Sequence, residues 1–305
     1  RDAILSRGLG DVYKRQLVDS LDALDDIFHY SPLIVVTHCE DPQRVVDNEK
    51  LFYEKYGDDL CAEQHHLIRD DESCYLSSSL AVSLAKKYDA DLHVFHLTTE
   101  KEMELFTEGD VIGKKITAEV CVHHMHFEES SYAELGNQIK CNPSIKYESD
   151  RQALIQALLN NKIDIIATDH APHTWDEKMM KYQEAPAGLP LVQHGLQILM
   201  DFYHQGILSL ETIAEKTSHN VAKRFQVKDR GYIREGCFAD IVIVDIDKKY
   251  EVTNDNILYK CAWSPFLGKT FNSSIYMTIC NGHVAFQDGQ LNNDIPLGMQ
   301  IEFDR

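Results

Sequence analysis

The sequence contains 305 residues, of which 44% are hydrophobic and 26% charged, and its formal net charge at pH 7 is −19. Because so acidic a surface repels phosphate backbones, these values argue against nucleic acid as a partner. No apolar run approaches the roughly 18–20 residues that a membrane-spanning helix needs, so we expect no membrane partner either.

Residues 1–16 differ in character from the rest of the chain. Their sequence, RDAILSRGLGDVYKRQ, carries four basic and two acidic groups, and it resembles a translated sequencing-adapter scar. We therefore set residues 1–16 apart as a non-native N-terminus, the alternative being a genuine short amphipathic segment. On this hypothesis the native chain begins upstream of Leu17, and the sequence is a fragment.

From residue 17 onward, predicted strands alternate with predicted helices. Apolar, largely β-branched runs predict four strands that are buried on both faces, at 33–37, 92–97, 115–122 and 163–167. Helices are predicted at 42–56, 75–88, 150–159, 191–204 and 210–225, and a capping pattern at Thr98-Thr99-Glu100 predicts one more. Such βα units build parallel sheets. A TIM-type barrel needs eight units, so we expect residues 17–225 to form the C-terminal part of a barrel.

Residues 226–305 have a different texture. A turn-rich segment at 231–236 is followed by predicted strands at 239–245, 274–280 and 283–287, and the last two are joined by an Asn281-Gly282 turn. We therefore expect residues 226–305 to form a small accessory β unit beside the barrel.

The cysteines and histidines point to different roles. None of the eight cysteines forms a CxxC pair, and we expect buried free thiols in a reducing cytoplasm. The fifteen histidines are more informative, because many follow predicted strands. This placement indicates a metal-rich site.

Three residues lie where a barrel places its chemistry. His38, His96 and Asp169 each follow an apolar strand, and each can ligate a borderline metal such as zinc. Because strand ends converge at one face of a barrel, residues far apart in sequence can share one ion. A hydrogen-bonded structural role is the alternative for each histidine taken singly.

The motifs around these residues are specific. They read VTHCED around His38, HLTTEKE after Phe95, ITAEVCVHH at 116–124, CNPSIKYESDRQAL at 141–154 and ATDHAPHTWDEK at 167–178. In this order they resemble the dihydroorotase family within the amidohydrolase superfamily, and GYIREGCFADIVIVD resembles the accessory β-sandwich of that superfamily. The resemblance covers 17–305, and DHAPHT favours dihydroorotase over hydantoinases and allantoinases.

The resemblance implies an α/β fold with a partial TIM-type (β/α)8 barrel and a small accessory β-sandwich unit. It implies a cytoplasmic, zinc-dependent enzyme that reversibly hydrolyses the cyclic amide of L-dihydroorotate to N-carbamoyl-L-aspartate in pyrimidine synthesis. With two zinc ions per active site, His38 and His96 would bind one ion. Asp169 would touch the other and act as the general acid/base. A homodimer is compatible with this resemblance.

The resemblance also assigns substrate contacts. Asn142, His173 and the backbone of Ala187 and Gly188 would contact the small-molecule substrate, although the family usually has a bulkier residue where Ala187 stands. Zinc would lower the pKa of the attacking water and polarise the carbonyl. Asp169 would accept a proton and deliver it to the leaving ring nitrogen.

Part of the family's active site has no counterpart in this sequence. An HxH pair after the first barrel strand, an arginine for the substrate carboxylate and a bridging carboxylated lysine or aspartate are missing. His124-Met125-His126 has the HxH spacing, but it follows a late strand. We expect the missing ligands to lie in a lost N-terminal part, and we expect the 305-residue chain itself to be inactive.

Two other functions stay open. One is a different cyclic amidase, of the dihydropyrimidinase or allantoinase type. The other is a non-catalytic dihydroorotase-like subunit that scaffolds a partner enzyme, against which the presence of His38, His96, Asp169 and His173 argues.

Overall fold

The computed structural model describes residue 18 and residues 20–292 and 298–304. The expected scar at residues 1–16 therefore lies outside the described residues. The chain divides into two compact units, Arg1–Leu191 with Tyr259–Pro265, and Val192–Leu258 with Phe266–Arg305. The expected domain boundary between residues 225 and 226 stays a prediction.

A four-stranded parallel sheet organises the first unit. Its strands lie in chain order and are β1 (Val35–Thr37), β2 (Leu92–Val94), β3 (Ile116–Cys121) and β4 (Ile165–Ala167). Strand β2 is fully buried, as expected for a strand covered on both faces. The same expectation is wrong for β1, in which Val36 is exposed and its two neighbours are only half-buried. The prediction of four successive parallel strands is confirmed, and their carboxyl ends meet at one edge of the sheet.

Helices of the first unit connect and cover these strands. They are α1 (Leu21–Tyr30), α2 (Pro42–Tyr56), α3 (His65–Ile68), α4 (Asp71–Tyr88), α5 (Val122–His126), α6 (Tyr132–Leu135), α7 (Glu148–Leu159) and α8 (Trp175–Lys178). The start of α2 has a local cause, because the Asp41 carboxylate accepts from the Arg44 N–H at 2.8 Å and Pro42 fits the first turn. The bounds of α2 are those predicted.

The prediction of a helix after Thr98 was wrong. Only a 3₁₀ turn, Lys101–Leu105, forms there. The capping contacts exist, since the Glu102 carboxylate accepts from Thr99 N at 3.2 Å and the Thr99 hydroxyl accepts from Glu102 N at 3.2 Å. The same carboxylate accepts from the buried Ser78 hydroxyl at 2.5 Å. The Glu102 side chain is therefore buried and bound to both Thr99 and Ser78, and does not lie on an exposed helix face.

The second unit contains helices and two antiparallel sheets. Its helices are α9 (Gly195–His204), α10 (Leu210–Ala214) and α11 (Asn220–Phe225), the last two joined by a π-helical turn at Glu215–His219. Its strands are β5 (Ile241–Asp245), β6 (Tyr250–Glu251), β7 (Thr270–Phe271), β8 (Ser274–Cys280), β9 (His283–Gln287) and β10 (Gln290–Leu291). The sheets have the orders β10-β9-β8-β5 and β6-β7.

The β8–β9 hairpin matches its sequence signal. Asn281 and Gly282 both have positive φ, 52° and 82°, which is the requirement of a two-residue type I′ turn. The predicted strands 274–280 and 283–287 are confirmed. Among the described residues, no helix combines the length and the hydropathy that crossing a membrane would require.

Candidate active site

The candidate site lies at the carboxyl ends of the four parallel strands. His38 follows β1 by one residue, His96 follows β2 by two, and Asp169 follows β4 by two. The segment after β3 carries His123 and His124, which lie on α5 and not at the end of the strand as predicted. Residues distant in sequence are therefore assembled at one edge of the sheet.

His38 and His96 face each other at this edge. The Nδ1 atom of His38 lies 3.0 Å from Nε2 of His96. Two ligands on a tetrahedral zinc ion, each with a Zn–N bond of about 2.0–2.1 Å, stand about 3.3 Å apart. The two ring nitrogens therefore fit one zinc ion. Burial, and then the neighbouring His38, lower the pKa of His96 to about 3. His96 is thus neutral near pH 7, as a metal ligand must be.

Glu40 and Arg69 orient His38. The Nε2 atom of His38 lies 3.1 Å from a carboxylate oxygen of Glu40, and the same oxygen pairs with the Arg69 guanidinium. Burial would raise the pKa of Glu40, but Arg69 and His38 outweigh it and hold that pKa well below its ordinary value. An ionised carboxylate at Nε2 keeps the imidazole proton there and leaves the Nδ1 lone pair directed toward His96, as in metal-bound histidines.

Asp169 lies near His38 and His96, but the three side chains do not form one close group of ligand atoms. Among the described residues, Asp169 does not form a three-ligand cluster with His38 and His96 in which all ligand atoms are mutually close. Burial by the surrounding atoms raises the pKa of Asp169, His38 opposes the shift and Glu119 adds to it. Asp169 nevertheless remains exposed to solvent.

Two of these candidate ligands have unusual backbone conformations. His96 has φ of 35° and Asp169 has φ of 46°. A non-glycine residue with positive φ is uncommon, and such positions cluster at functional sites. Each residue stands two positions after the last residue of its strand.

The predicted substrate residues meet in a neighbouring pair of loops. His173 Nε2 lies 3.1 Å from the Ala187 carbonyl oxygen, and the Gly188 N–H donates to the Lys140 carbonyl at 2.8 Å. Asn142 lies two residues beyond Lys140, and its buried Oδ1 has no partner among the described residues. Of the four predicted substrate residues, His173 thus contacts Ala187, and Gly188 follows Ala187 in the chain.

Gly188 sits where no side chain fits. Its φ is 138°, and a Cβ atom there would lie 2.4 Å from the Ala171 carbonyl oxygen and 3.1 Å from His173 Nε2. The Ala171 N–H also donates to the Leu189 carbonyl at 3.1 Å. The close approach of these two backbone segments therefore requires glycine at position 188.

Sequence reasoning missed Lys178. Its side chain is 0% exposed, and its ammonium donates to the carbonyl oxygens of Lys140 at 3.1 Å, Pro186 at 2.9 Å and Gly188 at 2.9 Å. Burial lowers the pKa of Lys178 to about 7. This lysine ends the ATDHAPHTWDEK motif, and that position was the only available signal. Lys178 holds the loop that carries Ala187 and Gly188.

Comparison with known sequences places this site in a family context. A profile of the amidohydrolase family matches residues 79–285. A protein from Macrococcus caseolyticus named dihydroorotase is 33% identical over 210 residues, 68% of this chain and 49% of that protein. A dihydroorotase from Clostridium acetobutylicum is 33% identical over 254 residues, 82% of this chain and 58% of that protein. The chain thus spans about half the length of these relatives.

Solved structures resemble the chain in fold. An L-hydantoinase (dihydropyrimidinase) from Arthrobacter aurescens superposes with a TM-score of 0.82 at 21% identity, covering 90% of this chain and 62% of that one. A dihydropyrimidinase from Brevibacillus agri gives a TM-score of 0.81 at 19% identity, covering 92% and 63%. These likenesses confirm the α/β class with a TIM-type barrel architecture, and at such identities they bear on the fold alone.

Proposed function

Because the chain belongs to the amidohydrolase family, we propose that it forms the C-terminal part of a zinc-dependent dihydroorotase. The reaction is the reversible hydrolysis of the cyclic amide of L-dihydroorotate to N-carbamoyl-L-aspartate, a step of pyrimidine synthesis. The 3.0 Å approach of His38 to His96 at the strand ends carries the proposal of a metal-assisted hydrolysis. The DHAPHT motif and the names of the relatives support the choice of substrate.

His38 and His96 hold one zinc ion in this proposal. Bound zinc supplies Lewis-acid polarisation of the amide carbonyl and a lowered pKa for the attacking water. Glu40 keeps the proton of His38 on Nε2, so that Nδ1 is available as a ligand atom. Arg69 neutralises the buried Glu40 carboxylate and fixes its position.

Asp169 is the general acid/base. Its carboxylate accepts the proton of the attacking water and returns that proton to the ring nitrogen as the amide bond breaks. Its raised pKa favours the first half of this transfer, because a carboxylate whose conjugate acid has a higher pKa is a stronger base. In the complete site, Asp169 would also contact the second zinc ion.

Asn142, His173 and the Ala187–Gly188 backbone position the substrate. The Asn142 amide can donate to the carboxylate of dihydroorotate. Ala187 and Gly188 offer backbone groups on a loop that Lys178 fixes through three carbonyls. Because Lys178 fixes this loop before the substrate binds, the loop loses less conformational entropy on binding.

His38, His96 and Asp169 do not complete the two-zinc site that we propose. We place the HxH pair and the bridging lysine or aspartate outside the 305 residues, and the chain on its own is therefore inactive. A dihydropyrimidinase-like or allantoinase-like amidase is the second candidate, which the hydantoinase fold likeness accommodates equally. A non-catalytic scaffold subunit is the third.

The test begins with the coding sequence upstream of Leu17. The completed protein and the 305-residue chain are expressed side by side, loaded with zinc and assayed on dihydroorotate, dihydrouracil, hydantoin and allantoin. We expect the completed protein to prefer dihydroorotate. Asp169→Asn should lower kcat by about 10²–10⁴-fold, whereas Asp176→Asn, an exposed carboxylate in the same motif, should leave kcat unchanged.

Other results of these assays would support one of the two other candidate functions or refute part of the proposal. Preference for dihydrouracil or allantoin supports the second candidate, and an upstream sequence without metal ligands supports the scaffold. Robust zinc-dependent turnover by the 305-residue chain itself would refute the proposed inactivity.

A further inference from the structure

A second group of metal-binding side chains lies beside the candidate active site and has no part in the reaction described above. Cys121 is the last residue of β3, and His123 and His124 lie in the first turn of α5. The candidate ligand atoms of the three residues all lie within 4.8 Å of one another, and all three side chains are buried. We propose that Cys121, His123 and His124 form an additional, thiolate-containing site for a borderline divalent metal such as Zn²⁺ or Co²⁺.

His124 is held in the form that ligates metals. Its Nε2 atom lies 3.1 Å from the Pro143 carbonyl oxygen. A carbonyl only accepts, so Nε2 carries the proton and Nδ1 carries the lone pair. Nδ1 is buried and has no partner among the described residues. A histidine that donates one nitrogen to a backbone carbonyl and keeps the other free is the usual arrangement of a metal ligand.

His123 supports the site independently. Its side chain is 0% exposed, and neither ring nitrogen has a partner among the described residues. Buried polar groups in native proteins are nearly always satisfied by protein, by water or by an ion, so an unsatisfied imidazole calls for a ligand. The His123 and His124 rings lie 3.9 Å apart between centroids, so the two imidazoles pack against each other.

The ligand set favours a particular class of ion. One thiolate and two imidazoles suit Zn²⁺ and Co²⁺ and disfavour Mg²⁺ and Ca²⁺, which prefer oxygen. Bonds of about 2.0–2.3 Å place tetrahedral ligands about 3.3–3.6 Å apart, and the three candidate ligand atoms lie within 4.8 Å of one another. Binding replaces the thiol proton of Cys121 with a metal–sulfur bond and releases that proton.

The sulfur atom of Cys121 allows metal bound at this site to be distinguished by spectroscopy from metal bound at His38 and His96. A thiolate bound to Co²⁺ gives a sulfur-to-metal charge-transfer band in the near ultraviolet, which a site of histidine and carboxylate cannot give. The 305-residue chain is refolded with excess Co²⁺ and the band is recorded. The measurement needs no turnover, so its result is independent of the proposed reaction.

We expect the band in the unmodified chain and in the H38N/H96N double variant. We expect its loss in Cys121→Ser and its retention in Cys74→Ser, which removes a buried thiol outside the group. Absence of the band from the unmodified chain, or its survival in a folded Cys121→Ser variant, overturns the proposal.

A second measurement decides the matter if Cys121→Ser does not fold, as judged by circular dichroism against Cys74→Ser. X-ray absorption is recorded on the zinc-loaded H38N/H96N variant, in which Cys121 is intact. One sulfur and two nitrogen neighbours around zinc support the site. A coordination shell of nitrogen and oxygen alone overturns it.

Discussion

The Nδ1 atom of His38 lies 3.0 Å from Nε2 of His96, although 58 residues separate them in sequence. The cause is the register of the sheet, in which Thr37 at the end of β1 stands opposite Val94 at the end of β2. His38 follows directly, and His96 follows after Phe95. The two imidazoles therefore act as a unit, and removal of either one should remove the site.

Replacement of His38 or His96 by asparagine should abolish one zinc-binding site. Loss of a residue that only hydrogen-bonds to a metal ligand costs about 10–100-fold in metal affinity, so loss of the ligand itself should cost at least about 100-fold. Equilibrium dialysis of each variant against zinc, followed by elemental analysis, measures the stoichiometry. His29→Asn on the surface helix α1 is the control. Unchanged zinc affinity in both site variants would show that the histidine pair is structural.

Arg69→Met should destabilise the first unit strongly. The substitution leaves the buried Glu40 carboxylate without its cation, and breaking a buried pair in this way costs about 3–5 kcal/mol. Urea unfolding at pH 7 measures the loss. Arg44→Met breaks the more exposed pair with Asp70 and should cost less than about 1 kcal/mol. Equal effects of the two substitutions would contradict the interpretation.

The Glu40–Arg69 pair also predicts a pH dependence. The pKa of Glu40 is lower in the folded chain than in the unfolded chain. Its contribution to stability is therefore complete above the unfolded pKa of about 4.3, and it is lost as pH falls toward the folded value. The difference in the free energy of unfolding between the unmodified chain and Arg69→Met should shrink below about pH 4.

Gly188→Ala should destabilise the substrate loop by about 1–3 kcal/mol beyond the backbone cost of its positive φ, because the new Cβ overlaps the Ala171 carbonyl. Gly109→Ala is a matched control, since Gly109 has φ of 135° and only Lys114 Cε, at 3.9 Å, near its Cβ position. Thermal unfolding of the two variants separates the clash from the backbone strain. Identical melting temperatures would remove the clash as a cause.

Lys178→Met tests whether the buried ammonium of Lys178 makes the free energy of unfolding depend on pH. Burial lowers the pKa of Lys178 to about 7 in the folded chain, so above pH 7 the unfolded chain binds one proton more. The stability contributed by Lys178 should therefore rise from about pH 7 to about pH 10, with a slope of at most about 1.4 kcal/mol per pH unit. Urea midpoints at several pH values measure it. Parallel profiles for Lys178→Met and the unmodified chain would contradict the assignment.

Local sequence patterns determined the elements and the residues that end them. The β-branched runs predict β1 to β4 because only buried strands favour such residues on both faces. Asp41 and Pro42 mark the start of α2 through contacts three residues apart or fewer. The positions of His38, His96 and Asp169 just after strands follow from the same patterns, and a parallel sheet gathers such positions at one edge.

Only the tertiary structure decided which side chains touch. Arg69 reaches Glu40 across 29 residues, and Lys178 reaches the Lys140 carbonyl across 38. Where a helix was expected after Thr98, only a 3₁₀ turn forms, and Glu102 within it binds Ser78, 24 residues away. The positive φ values of His96 and Asp169 were likewise not predicted from the sequence. Local propensities act over a few neighbouring residues, whereas these contacts depend on how distant segments are brought together.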